Sequence, residues 1–114
     1  MAKYQTNLHG DFQAVLSMLH DSVMKGSMSA SMEDTSDVTL GGVRCSVRVY
    51  ERYSWLGKNR VSLNITLLGH ENDLFLSAIT SGGSQAVFFK MNIWGEESFL
   101  DTLVKQVEQY KGAR

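Results

Sequence analysis

The sequence has no proline and only one cysteine in 114 residues. A lone Cys45 cannot close an internal disulfide or build a cysteine-based zinc site. An excess of one charge sign is also missing: 11 Lys and Arg stand against 12 Asp and Glu, for a formal charge of −1. Such a balance gives no bulk attraction to nucleic acid or to an anionic membrane. No apolar run reaches the length of a membrane span, and the N-terminal stretch Met1 to Leu8 carries no signal-peptide core. A cytoplasmic location away from membranes is therefore expected. What is present is ordinary globular material, 43% hydrophobic and 20% charged. The length suits a single domain over residues 1–114, large enough to bury a core without staples.

Two segments have helical spacing. Phe12, Val15, Leu16, Leu19, Val23 and Met24 form one apolar stripe, with Asp11 placed as N-cap and Gly26 as the stop. Leu100, Leu103, Val104 and Val107 form another, with Ser98 and Asp101 resembling a capping box and Gly112 past the last turn. Between them the period becomes two. Val43, Cys45, Val47 and Val49 alternate with polar residues, as do Val61, Leu63, Ile65 and Leu67. Val87, Phe89, Met91 and Ile93 repeat the pattern. Met28, Ala30 and Met32 repeat it more weakly, and Tyr4, Thr6 and Leu8 suggest a short first strand.

The turns propose a register. Gly41-Gly42 and Gly82-Gly83 have the form of two-residue hairpin loops. The first sets Leu40 opposite Val43 and Val38 opposite Cys45, with a bulge expected near residues 33–37. The second sets Ala78 opposite Val87 and Leu76 opposite Phe89. A loop at 57–59 would oppose Tyr53 to Leu63, and a loop at 69–72 would oppose Leu67 to Leu74. The expected fold is α+β: a two-layer sandwich with an antiparallel meander of about five strands, a short N-terminal strand and two helices on one face, in the order β-α-β-β-β-β-β-α.

In that register the strand at 43–53 turns Val43, Cys45, Val47 and Val49 toward the helices. It turns Arg44, Arg48, Tyr50 and Arg52 away from them. Asn64, Phe75, Ile79, Phe88 and Lys90 join the outer face, with Leu68 alongside. A contiguous patch around Phe75, Ile79 and Phe88 on so small a domain points to an interface, with a second copy as the expected occupant. A protein or small-molecule partner is the alternative. Arg48, Tyr50 and Arg52 also have the composition of a single-stranded nucleic-acid face. Pairing of these arginines with Glu33, Asp34 or Asp37 across the hairpin explains them better.

Catalytic and metal chemistry find little support. His9, His20 and His70 lack metal-ligand spacing and read as solvated, and Cys45 reads as a buried small hydrophobe. No catalytic residue, metal or cofactor is assigned. Glu51 is the misfit: strict alternation turns it inward beside Tyr53 and Trp55. A cavity there, for a carrier or an enzyme, is the rival site. Ser81-Gly82-Gly83-Ser84 is followed by strand-like sequence and has no lysine at P-loop spacing.

Arg48-Val-Tyr-Glu-Arg-Tyr53, Leu63-Asn-Ile-Thr-Leu-Leu-Gly69, Ser77-Ala-Ile-Thr-Ser-Gly-Gly-Ser-Gln-Ala86 and Gly95-Glu-Glu-Ser-Phe-Leu100, with Asp11-Phe12, resemble a small family of bacterial proteins, mainly Gram-positive. That family is defined only as a domain of unknown function. The resemblance implies a bacterial cytosolic protein and supplies no catalytic residue, cofactor or partner. The leading expectation is a non-enzymatic binding or assembly module, homodimeric through its outer sheet face.

Overall fold

A computed structural model describes residues 2–26, 29–54, 59–82 and 89–112, with side chains described at these positions except 54, 59 and 89–98. Its elements are β1 (Lys3–His9), α1 (Phe12–Gly26), β2 (Ser31–Leu40), β3 (Val43–Ser54), β4 (Asn59–His70), β5 (Asp73–Gly82) and α2 (Phe89–Gly112). The five strands form one sheet in the order β1-β5-β4-β3-β2. Every neighbouring pair is antiparallel.

Local chemistry explains the ends of these elements. Asp11 caps α1, its Oδ2 accepting the Ala14 amide at 2.9 Å, which satisfies one of the orphan donors of the first turn. Gly41 and Gly42 have φ of 58° and 83°, the positive pair that a two-residue hairpin needs. Leu40 then faces Val43 and Val38 faces Cys45, as the sequence predicts. The expected bulge falls between Met32 and Asp34. The core lies between the sheet and both helices. Leu63, Ile65, Leu67, Leu76 and Ala78 meet Val15, Leu19 and Val23 of α1 and Phe99, Leu103 and Val107 of α2.

Three expectations fail, each for a physical reason. The strand predicted at Val87 to Ile93 is overturned over Phe89 to Ile93: from Phe89 the chain is helical, so α2 begins well before Ser98. The first strand takes the place reserved for it. Leu8, Thr6 and Tyr4 pair with Leu74, Leu76 and Ala78, so β5 has no edge left to offer. Val87, Phe88 and Gly83 lie outside the described residues. At the β4–β5 hairpin, Leu67 faces Leu76 rather than Leu74, because the turn is only Glu71-Asn72. Glu71 takes the positive φ, 55°. This change keeps the same face inward.

The third difference turns a strand over. Leu63 pairs with Tyr50, not Tyr53, and Val61 pairs with Arg52. From Tyr53 to Tyr50 is an odd displacement, and an odd displacement exchanges the two faces of a strand. Arg44, Ser46, Arg48, Tyr50 and Arg52 therefore share the helix-covered face with Leu63, Ile65 and Leu67. Val43, Cys45, Val47, Val49, Glu51 and Tyr53 lie on the open face.

Candidate functional site

Directly paired residues share a face, so the register of the sheet gives the open face row by row. One row runs Leu40, Val43, His70, Asp73, His9. The next runs Val38, Cys45, Leu68, Phe75, Asn7. Then come Ser36, Val47, Thr66, Ser77, Gln5, and Asp34, Val49, Asn64, Ile79, Lys3. Apolar side chains cluster on β3, with Leu40 and Val38 of β2 and Leu68 of β4 beside them, whereas His70, Thr66 and Asn64 make the rest of β4 polar. Leu40 is 78% exposed, Val38 56% and Leu68 40%. Val43, Cys45, Val47, Val49, Phe75 and Ile79 are half-buried. Polar pairs stand at the two ends of the face: His9 Nδ1 lies 2.9 Å from Asp73 Oδ1, and Arg60 Nη1 lies 3.3 Å from Glu51 Oε1. An apolar cluster bordered by polar residues is a common anatomy of an interface.

The covered face of β3 is polar, and each group there has a partner. Arg44 donates to Gln13 Oε1 at 2.8 Å, and its guanidinium lies 4.3 Å from the Phe12 ring centre. The ring reaches this position because Gly69 lies beneath it; a Cβ at Gly69 would come within 2.6 Å of Phe12 Cδ2. Arg48 Nη1 lies 3.1 Å from Asp37 Oδ2, and the buried Ser46 hydroxyl also donates to Asp37. Those two contacts, the Ser46 hydroxyl first, hold the Asp37 carboxyl below its usual range. Tyr50, 1% exposed, is 2.9 Å from His20 Nδ1 through its hydroxyl. Burial pushes its phenol up, with Arg48 opposing and Asp21 adding to the shift. Arg52 lies 4.7 Å from the Phe99 ring centre, and burial pulls its guanidinium down.

Between α1 and the β2–β3 hairpin is an open cleft of about 280 Å³, lined by Gln13, Leu16, Ser17, His20, Asp21, Met32 and Arg48. It is not where the sequence places a cavity. Glu51 and Tyr53 face the open side, and Trp55 lies outside the described residues. Glu51 reaches water and Arg60, so its apparent misfit disappears once β3 is turned over.

The other candidates divide in the same way. Asn64, Phe75 and Ile79 are on the open face as expected. Arg48, Tyr50 and Arg52 are on the opposite face, under the helices, so Tyr50 cannot stack on a base. Phe88 lies outside the described residues, as does the side chain of Lys90. Cys45 moves from the predicted core to the open face, and His20 is a hydrogen-bond partner rather than a solvated group. Sequence reasoning missed the valine row of β3 as surface and the α1 side of the cleft. The only signal in the sequence was the apolar alternation of β4, which does not reveal its register with β3.

No metal-competent group of His, Cys, Asp and Glu occurs among the described residues. No helix among them is long and apolar enough to cross a membrane. A family model described as a family of unknown function, DUF6054, matches residues 1–111. No curated protein matches the chain. Among solved structures, the chain is similar to the crystal structure of TTHA0849 from Thermus thermophilus, at 11% identity and a TM-score of 0.31, over 95% of this chain and 97% of that one.

Proposed function

The chain belongs to the DUF6054 family, from which no activity carries over, and we propose that it is a non-enzymatic assembly module that pairs with a second copy through its open sheet face. The observation that supports this reading is the orientation of β3. The strand turns four apolar residues, Val43, Cys45, Val47 and Val49, to the uncovered side and turns its half-buried arginines toward the helices. Apolar burial favours the reverse arrangement unless something covers the open face.

A second copy suits the chemistry of that face. Its polar ends are already paired, His9 with Asp73 and Arg60 with Glu51, so no strongly charged partner is selected. Symmetric dimers are the commonest assemblies. Strands about 4.8 Å apart, each contributing roughly seven residues at 3.3 Å, give a flat area of about 550 Å² per copy. Two such faces would bury about 1,100 Å², near the lower end for a specific interface. Edge-to-edge pairing through β2 is disfavoured by its bulge and by Glu33, Asp34 and Asp37. A bacterial cytoplasmic setting belongs to the same reading, and a reducing compartment suits the free Cys45.

Light scattering across a concentration series tests the proposal. The unmodified chain should approach twice the monomer mass, while Val47→Asp and Leu68→Asp remain monomeric with unchanged circular dichroism. A monomer throughout the series would refute it.

A further inference from the structure

The cleft between α1 and the β2–β3 hairpin carries unused hydrogen-bonding capacity. Arg48 lines it with a side chain only 16% exposed. Its partners, Asp37 and the Val47 carbonyl, all engage one nitrogen, Nη1. Among the described residues, Nε and Nη2 have no partner, although a guanidinium carries five donors. His20 lines the same cleft and commits Nδ1 to Tyr50, leaving Nε2 without a partner among the described residues. Leu16 and Met32 supply apolar walls. Met32 is 45% exposed, so its side chain offers an occupant apolar surface that would gain from being covered.

We propose that this cleft binds a small carboxylate bearing a short apolar chain. The planar pair of carboxylate oxygens matches the free Nε/Nη2 side of the Arg48 fork, a geometry that a spherical cation cannot reproduce. His20 Nε2 donates a second hydrogen bond in the tautomer whose Nδ1 accepts from Tyr50. The chain of the ligand lies against Leu16 and Met32. The volume, about 280 Å³, is close to the smallest small-molecule sites, near 300 Å³. Asp21 lines the cleft and Asp37 holds Arg48 from the β2 side, while Arg44 adds a second positive charge that also acts on Asp37, so two cations face two carboxylates and the local charge is nearly balanced. That balance favours a monoanion over a phosphate dianion. The site is separate from the open sheet face and does not depend on association there.

The test titrates the full chain with n-hexanoate, following amide shifts by NMR, with n-hexanol and inorganic phosphate as comparisons. Saturable millimolar binding of hexanoate, with shifts centred on His20, Met32 and Arg48, is expected. Arg48→Lys should weaken it by about tenfold, since the lysine loses the fork. Two surface changes guard against misfolding: Met32→Glu should abolish binding, and Asp21→Asn should tighten it severalfold. Absence of saturation, equal binding of hexanol, stronger binding of phosphate, or shifts centred on Val47 and Leu68 would each overturn the proposal.

Discussion

Replacing Tyr50 by alanine separates the two possible orientations of β3. Under the helices, Tyr50 is 1% exposed and sits opposite Leu63 and Met32. Truncating a buried aromatic costs about 3–5 kcal/mol, from lost transfer energy and the remaining cavity. For a chain of this size 1 kcal/mol corresponds to about 4 °C in Tm, so Tyr50→Ala should melt about 12–20 °C lower. Tyr50→Phe keeps the ring and loses only the hydroxyl bond to His20. His20 is half-exposed and recovers a water, so the expected loss is about 1 kcal/mol, or about 4 °C. Val49→Ala, one residue away on the open side, should cost under about 1 kcal/mol when measured in dilute solution. Urea and thermal unfolding by circular dichroism supply all three values. If Tyr50→Ala cost no more than Val49→Ala, the register of β3 on β4 would be wrong, and the inference from the valine row would fail with it.

Other outcomes follow from single contacts. Gly69→Ala would set a Cβ 2.6 Å from Phe12 Cδ2 and 2.8 Å from Leu74 Cδ2; overpacking of that kind should cost about 1–3 kcal/mol in urea unfolding, and a neutral result would displace Phe12 from its position. Tyr4 is raised from 10.0 to about 12, first by burial and then by its hydrogen bond to Glu108 and that carboxylate's charge. Its contribution to stability should be intact below pH 10.0 and lost as pH rises toward 12; ultraviolet titration should show late phenols from both Tyr4 and Tyr50, of which Tyr4→Phe removes one. Asp37 is lowered from 3.8, first by Ser46 and then by Arg48. Its contribution is present above pH 3.8 and disappears as pH falls through the lowered value, so Asp37→Asn should remove that part of the acid sensitivity.

The resemblance to a family without assigned chemistry extends over nearly the whole chain, and the proposed assembly role rests on packing alone. Much of the fold was legible because it depends on local patterns. The stripe from Phe12 to Val23 and the cap at Asp11 define α1. Gly41-Gly42 defines the β2–β3 register, and the alternation from Val61 to Leu67 defines a half-buried strand. The segment from Val87 to Ile93 reads as a strand because its alternation is compatible with one. The free edge it would need is occupied by residues from the far end of the chain, Tyr4 to Leu8.

The candidate site shows the same division. Alternation alone established that Val43, Cys45, Val47 and Val49 share one face and that Arg44, Arg48, Tyr50 and Arg52 share the other. Which set meets the helices was decided only when β3 aligned with β4, because side chains on a strand repeat every two residues and an odd shift of register exchanges the faces. The arginines are tolerated beneath the helices because tertiary partners receive them: Gln13 and Phe12 for Arg44, Asp37 for Arg48, Phe99 for Arg52. Only the Arg48–Asp37 pair, across the β2–β3 hairpin, was legible in the sequence; the others join residues 31 or more positions apart. The scarcity of cysteine and of net charge excluded chemistries at the outset. The apolar face left open, and the cleft on the helix-covered side, exist only in the folded chain.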